Sequence, residues 1–359
     1  MQEQELTKQQ LEEAYNNAYA ETHAEFDRIS QEKLIISLVG SVNVGKSKTI
    51  NCLTGIDYAE VKARAGSTQE VSLYELHHNV FIADTPGLHD IDETISRKAS
   101  DFVEKNSDIV LFFLNASVGL TSHDKKAFWQ IANQNNNIIV VVNKIDALEA
   151  DELNDVLEQI KEELEITPVA ISAKNNLGID RLNSKIFKIL EEKHKELLFL
   201  KVTKRKEQQV AKWIKTAVAA AAGIGAVPIP GSDIIPLTTL QISLALKIAY
   251  IYDIKQTKGD IMKLIASTIT GSVGKQLTRW GITALKAVGW IPGGQLLELA
   301  TSGIAATVAA SLTYGFGWTC NTYYKNSMQL DLNELSSIFE KCTKDYKEQA
   351  TNSTTSSPS

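Results

Sequence analysis

Residues 40–50 read GSVNVGKSKTI and directly follow the apolar run LIISLV. Two glycines with four residues between them, then lysine and serine, are the residue types a phosphate cradle needs. Glycine lets the backbone curl until successive N–H groups point at one anion, and a helix starting at the lysine adds its positive end. Lys46 can reach the outer phosphates, and the Ser47 hydroxyl can ligate Mg2+. Gly40, Asn43, Val44, Gly45, Lys46, Ser47 and Lys48 are therefore the candidate phosphate-binding residues. A glycine turn beside a surface lysine is the alternative.

Three further motifs follow in order, each at the end of an apolar run. DTPG at 84–87 places Asp84 to hold Mg2+ through water and Gly87 to offer its N–H to a terminal phosphate. NKID at 143–146 supplies an amide at Asn143 and a carboxylate at Asp146. A carboxylate accepts from both the ring N–H and the exocyclic amine of guanine, a pair of donors that adenine lacks in that arrangement. Lys144 can lie along the base. SAK at 172–174 adds Ser172, Ala173 and Lys174, with the Ala173 N–H aimed at the guanine oxygen. GTP or GDP with Mg2+ is the expected ligand.

These motifs need a scaffold, and the apolar pattern supplies one. Strands are expected at 34–39, 71–76, 80–83, 108–114, 138–142 and 167–171, with helices near 46–54, 94–105, 121–134, 149–164 and 178–195. Runs that are apolar throughout indicate strands covered on both faces. The pair around HHN (77–79) reads as a hairpin. The fold class is α/β: a doubly wound, mostly parallel sheet, followed by an all-helical domain.

Residues 34 to about 195 resemble the Era-like GTPases of the translation-factor-related class. The resemblance implies hydrolysis of GTP to GDP and phosphate, with Lys46, Thr68 and Asn43 as the catalytic candidates. AGSTQEV at 65–71 is similar to that group's PGTTRDV and implies Thr68 as a switch threonine that binds Mg2+ beside GTP. Ala65, Ser67, Gln69 and Glu70 depart from the pattern, and a turn or cap role is the alternative for Thr68. Leu88 stands where Ras-like enzymes carry a glutamine that orients water. Hydrolysis is therefore expected to be slow without a partner, dimerisation or potassium. In cation-activated relatives an asparagine at the Asn43 position ligates K+; bracing the loop is the other reading. His89 and Arg64 are lesser candidates for a water contact or a positive charge.

A chain of 359 residues has room for two domains. The net charge of −6 argues against non-specific nucleic-acid binding, so nucleic acid is an unlikely partner. That average hides an asymmetry. Between Lys201 and Trp290 thirteen lysines and arginines stand against four acids, a local +9, so the remainder carries −15. This fits an anionic membrane surface or an acidic protein partner, and a homodimer is also open. Cys52, Cys320 and Cys342 are too scattered for a disulfide framework or a zinc site. The polar start MQEQELTKQQ lacks an apolar signal segment, so a cytoplasmic protein is expected, peripheral at the inner membrane face at most.

The expected organisation is an N-terminal helical segment at 1–33, a GTPase domain at 34–200, a helical domain at 201–348 and a disordered tail at 349–359. IPGSDIIPLTTLQISLALKIAY from Ile229 aligns with IPGGQLLELATSGIAATVAASL from Ile291, suggesting two similar helical hairpins. This half resembles, more loosely, an uncharacterised helical domain that follows Era-like GTPase domains in bacterial chains. Thr216–Ser232 and Leu299–Tyr324 are uncharged but marginal as spans, with Pro228, Pro230 and several glycines interrupting them. A soluble bundle with reversible membrane contact is expected ahead of insertion. The leading function is a GTP-driven switch acting through the helical half; the alternatives are ribosome or RNA association and a non-hydrolysing scaffold.

Overall fold

The structure is a computed structural model and describes residues 8–65, 72–84, 102–103, 105–133, 135–225, 234–257, 259–261, 264 and 302–355. It falls into two compact units, Arg28–Arg205 and Met1–Asp27 together with Lys206–Ser359.

The unit Arg28–Arg205 is built on six strands: β1 (Leu34–Gly40), β2 (Ser72–His77), β3 (Val80–Asp84), β4 (Ile109–Asn115), β5 (Ile138–Asn143) and β6 (Val169–Ala170). They lie in the order β2-β3-β1-β4-β5-β6. Only β2 runs antiparallel, paired with β3 as the expected hairpin and bulged between Glu75 and His77. All seven residues of β1 but one are buried, as are all six of β5. This is the continuous apolar strand of a sheet covered on both faces. On one face Phe112, Leu114, Val140 and Val142 pack with Phe128, Ile131, Ile160 and Leu164.

The connecting helices are α2 (Lys46–Thr54), α3 (Tyr58–Ala65), α4 (Ser122–Ala132), α5 (Ala150–Leu164), α6 (Ile179–Glu192) and α7 (Glu196–Val202), preceded by α1 (Lys8–Gln31). Thr121 and Asp124 cap α4 reciprocally, and Glu149 with Glu152 does the same for α5. Such boxes satisfy N–H groups that a helix start leaves unbonded. The sequence pattern did not anticipate α3 or α7. The helix expected at 94–105 lies almost wholly outside the described residues. Because five strands run in parallel, their carboxyl ends share one edge, where ligands bind in open α/β sheets. Gly40, Asp84, Asn115, Asn143 and Ala170 end strands there.

The other unit contains most of α1 with α8 (Lys206–Gly225), α9 (Ile234–Ile251), α10 (Ser302–Lys325) and α11 (Leu332–Thr355). α10 packs against α8, α9 and α11. A Cβ at Gly317 would come 2.7 Å from Ile214 of α8, and one at Gly315 would run into Thr343 of α11. The glycines in this run therefore serve close helix packing. Cys320, Phe316 and Thr319 are buried at this interface-rich helix. No helix among the described residues is long and apolar enough to cross a membrane. The first IPG turn and the second hairpin as far as residue 301 lie outside the described residues, while 302–312 open α10.

Candidate functional site

The loop from β1 to α2 has the backbone a phosphate cradle requires. Gly40 (φ 142°), Asn43 (φ 62°) and Gly45 (φ 98°) all adopt positive φ. A Cβ on Gly40 would sit 2.5 Å from the Phe113 carbonyl oxygen, and one on Gly45 would overlap the Asn143 amide. Glycine is thus required twice, by conformation and by space. The Lys46 ammonium donates to the carbonyls of Gly40 (2.7 Å) and Ser41 (3.1 Å), which arches the side chain back over the loop. Burial lowers its pKa, opposed by the charge of Asp84. Ser47 and Lys48 follow on the first turn of α2, Val44 is buried, and Asn43 is exposed.

Two further loops close on this cradle. The buried Asn143 amide donates to the Val44 carbonyl (2.8 Å), while its oxygen accepts from the Ala173 N–H (3.0 Å). One side chain therefore ties the phosphate loop to the loop after β6. Lys144 stands in the left-handed region at φ 65°, opening the single 3-10 turn that carries Asp146. Ser172 donates to Asp146 at 2.6 Å, and Lys174 lies 3.9 Å from its other oxygen. The hydroxyl is the main reason that the Asp146 carboxyl is held below its ordinary pKa. Asp146 remains an ionised acceptor with lone pairs to offer. The Ala173 N–H, expected to face a guanine oxygen, is bonded to Asn143 in this structure.

Asp84 ends β3 beside the cradle. One of its oxygens pairs with Lys62 of α3, and the other is buried with no hydrogen-bond partner. Lys62 lies 4.8 Å from the centre of the Tyr58 ring and 5.7 Å from that of Tyr74. Those rings meet edge-on, 5.6 Å apart.

The sequence profile of a family described as 50S ribosome-binding GTPase matches residues 35–144, and that of a domain of unknown function, DUF697, matches residues 190–348. The first half of the chain is an Era-like GTPase domain, and an uncharacterised helical domain follows it. The GTPase domain is 32% identical over 181 residues to the tRNA modification GTPase MnmE of Desulforamulus reducens, covering 49% of this chain and 38% of that one. It is 30% identical over 161 residues to GTPase Der of Clostridium tetani, covering 43% of this chain and 36% of the other. The chain thus spans little more than a third of the curated relatives it matches. Among solved structures it is similar to Era of Aquifex aeolicus bound to GDP·AlF4−, at 26% identity and a TM-score of 0.36, over 44% of this chain and 57% of that one. A probable GTP-binding protein, engB, gives the same identity and score over 44% of this chain and 99% of its own.

A GTPase domain ordinarily works with Mg2+, and the residues present fit that ion. Asp84 keeps a buried oxygen with nothing to bond, and the Ser47 hydroxyl stands on the first turn of the helix after the cradle. Among the described residues no three His, Cys, Asp or Glu side chains could hold a metal by themselves. The ion would therefore be shared with phosphate oxygens, as Mg2+ usually is. Thr68, Gly87, Leu88 and His89 lie outside the described residues, and Arg64 is on α3.

Lys62 and Tyr58 were missed in the sequence. Their signal was the stretch DYAEVKARA, an aspartate followed by strong helix formers. In the structure Asp57 accepts from the Ala59 N–H (3.0 Å) at the start of that helix.

Proposed function

We propose that the chain binds GTP and GDP with Mg2+, hydrolyses GTP to GDP and phosphate, and uses the two nucleotide states to change how its helical domain engages an anionic membrane surface or a protein partner. What supports this reading most is the Asn143 bracket, which holds the phosphate loop and the SAK loop at one sheet edge with Asp146 alongside. Gly40 to Lys48 would bind the phosphates, with Lys46 neutralising the outer ones. Asn143, Lys144, Asp146, Ser172, Ala173 and Lys174 would form the base site, with Asp146 selecting guanine. Ser47, Asp84 and Thr68 would hold Mg2+, which supplies positive charge at the phosphate being transferred. Gly87 would donate its N–H to that phosphate. With Leu88 unable to orient water, Asn43 could compensate by ligating K+, and turnover that is equal in sodium and potassium buffers would remove that role.

The helical domain's part rests on charge: Lys212, Lys215 and Lys255 are exposed, and Lys247 lies 4.9 Å from the Trp213 ring. Lysines with apolar neighbours suit a peripheral contact with anionic lipid. The deciding experiment is displacement of a fluorescent GDP by GTP, ATP and unlabelled GDP, paired with co-sedimentation on anionic liposomes in GDP and in a non-hydrolysable GTP analogue. Displacement by guanine nucleotides alone, with pelleting that differs between the two states, is the expected result. Equal displacement by ATP would overturn the base site, and a chain that stays in solution in both states would overturn the membrane part. In that case the second reading, a ribosome- or RNA-associated GTPase, gains. It is favoured by the ribosome-binding description of the family matching residues 35–144.

A further inference from the structure

Asp84 is the carboxylate on which the proposed magnesium site depends, and it already has a cation. Lys62 pairs with one of its oxygens, while the other is buried and unbonded. The Lys62 ammonium lies over Tyr58 and Tyr74, whose ring faces attract an ammonium ion and give it a defined resting place. Tyr58 is fully buried and Tyr74 nearly so, which makes that place rigid. The Tyr58 backbone N–H is fixed in turn by the Asn51 side chain of α2, at 3.0 Å. Lys62 itself is 32% exposed, so its head can pass into water without crossing the core.

An ammonium on one oxygen of a carboxylate and a divalent ion drawn to the other repel each other, so each weakens the hold of the other on the acid. We infer that Lys62 is a resident competitor of Mg2+: its ammonium neutralises Asp84 when no divalent ion does, and its hold on Asp84 is weakened when the ion binds. This rests on the reading of Asp84 as a magnesium carboxylate. The consequence reaches beyond one ion pair. Lys62 sits on α3, which ends at Ala65, three residues before Thr68. Metal occupancy and the backbone leading to the proposed switch threonine are thereby joined through one side chain. The arrangement also guards the metal-free site. A bare Asp84 would repel phosphate, and Lys62 removes that repulsion.

The test is the release rate of a fluorescent GDP, followed from EDTA through millimolar Mg2+, in the full chain and in Lys62→Met, Lys62→Arg and Asp84→Asn. Methionine keeps an unbranched side chain of similar bulk and removes the charge. Lys62→Met should lower the Mg2+ concentration for half-maximal GDP retention by about fivefold, the scale of one partly exposed ion pair. In EDTA the same variant should release GDP faster than wild type, since Asp84 then faces the phosphates uncompensated. Opposite shifts in the two limits are what a merely structural role cannot produce. Lys62→Arg should stay near wild type, and Asp84→Asn should flatten the Mg2+ dependence. If Asp84→Asn flattens the curve while Lys62→Met leaves its midpoint unchanged or raises it, the competitor role is overturned and the nucleotide site stands. If Asp84→Asn leaves the curve intact, the magnesium reading of Asp84 itself fails.

Discussion

Asp146 shows how much of the proposed base site depends on one hydroxyl. Its carboxylate is the group that would read guanine, and it can do so only when ionised. Ser172 donates to it at 2.6 Å and also accepts from the Asn175 N–H at 3.1 Å, so the hydroxyl proton is directed at Asp146. That bond favours the charged form and depresses the pKa below the ordinary 3.8. A carboxylate depressed in the folded state contributes stability that is present above the ordinary value and is lost as pH falls through the folded one. Ser172→Ala should therefore move the Asp146 pKa upward, and the acid limb of GDP binding should begin at higher pH than in wild type. Fluorescent GDP affinity measured downward from neutral pH checks this, and an unmoved limb would show that the hydroxyl is not what holds the charge. Asn143 is different in kind. Its motif was legible, because an amide before a lysine and an aspartate suits guanine. Its work as a bracket was not, since its partners Val44 and Ala173 stand 99 and 30 residues away and nothing in local spacing links them.

At the scale of elements, the motif-bearing loops are held by strand ends, and the sheet is pinned at its opposite end by charge. Lys195, after α6, donates to the Lys33 carbonyl (2.6 Å) and to Asp108 (2.7 Å), and Asp108 accepts from the Ile35 N–H (2.9 Å). One lysine thus fastens the starts of β1 and β4 to the helical layer, away from the carboxyl edge. Both partners are largely buried, so removing one leaves the other's charge without compensation. Lys195→Met should destabilise this unit by about 2 kcal/mol, roughly 4–8 °C in its thermal midpoint, while GDP affinity changes little. Melting curves with and without GDP separate the two effects: a comparable loss of affinity would mean that the clamp also shapes the site. The strands were readable because continuous apolar runs have few other uses. The pattern did not show α3 because eight residues give barely two turns of periodicity, and its signal lies in the Asp57 start instead. Nor did it show α7, whose ELLFLKV is apolar almost throughout and carries no helical period.

In chain order the nucleotide unit lies between α1, up to Asp27, and α8, both of which belong to the helical unit. Hydrophobic spacing at 5–32 indicated a helix but could not say which unit would cover it, because its partners come more than 200 residues later. Tyr19 donates to the Gln256 carbonyl at 2.8 Å, and Thr22 meets Ser243 at 3.2 Å. Phe26, 8% exposed, lies 5.0 Å from the Tyr250 ring. The nucleotide unit is consequently joined to the helices by two chain crossings, and each is anchored on its own side. Asn79 of the β2–β3 turn donates to the Ser30 carbonyl (2.7 Å), and the Lys204 N–H donates to the carbonyl of Leu53 (3.0 Å). Leu53 lies near the end of α2, the helix that starts at Lys46, so the last residues of the nucleotide unit are bonded directly to that helix. This architecture predicts that damage to α1 falls on the helices and spares the nucleotide. Phe26→Ala removes a buried ring and should cost the helical unit about 3 kcal/mol. Calorimetry should show the helical transition moved to lower temperature, with the transition that responds to GDP unchanged. If the GDP-responsive transition moves by the same amount, the two units unfold as one, and the insertion couples their stabilities as well as their ends.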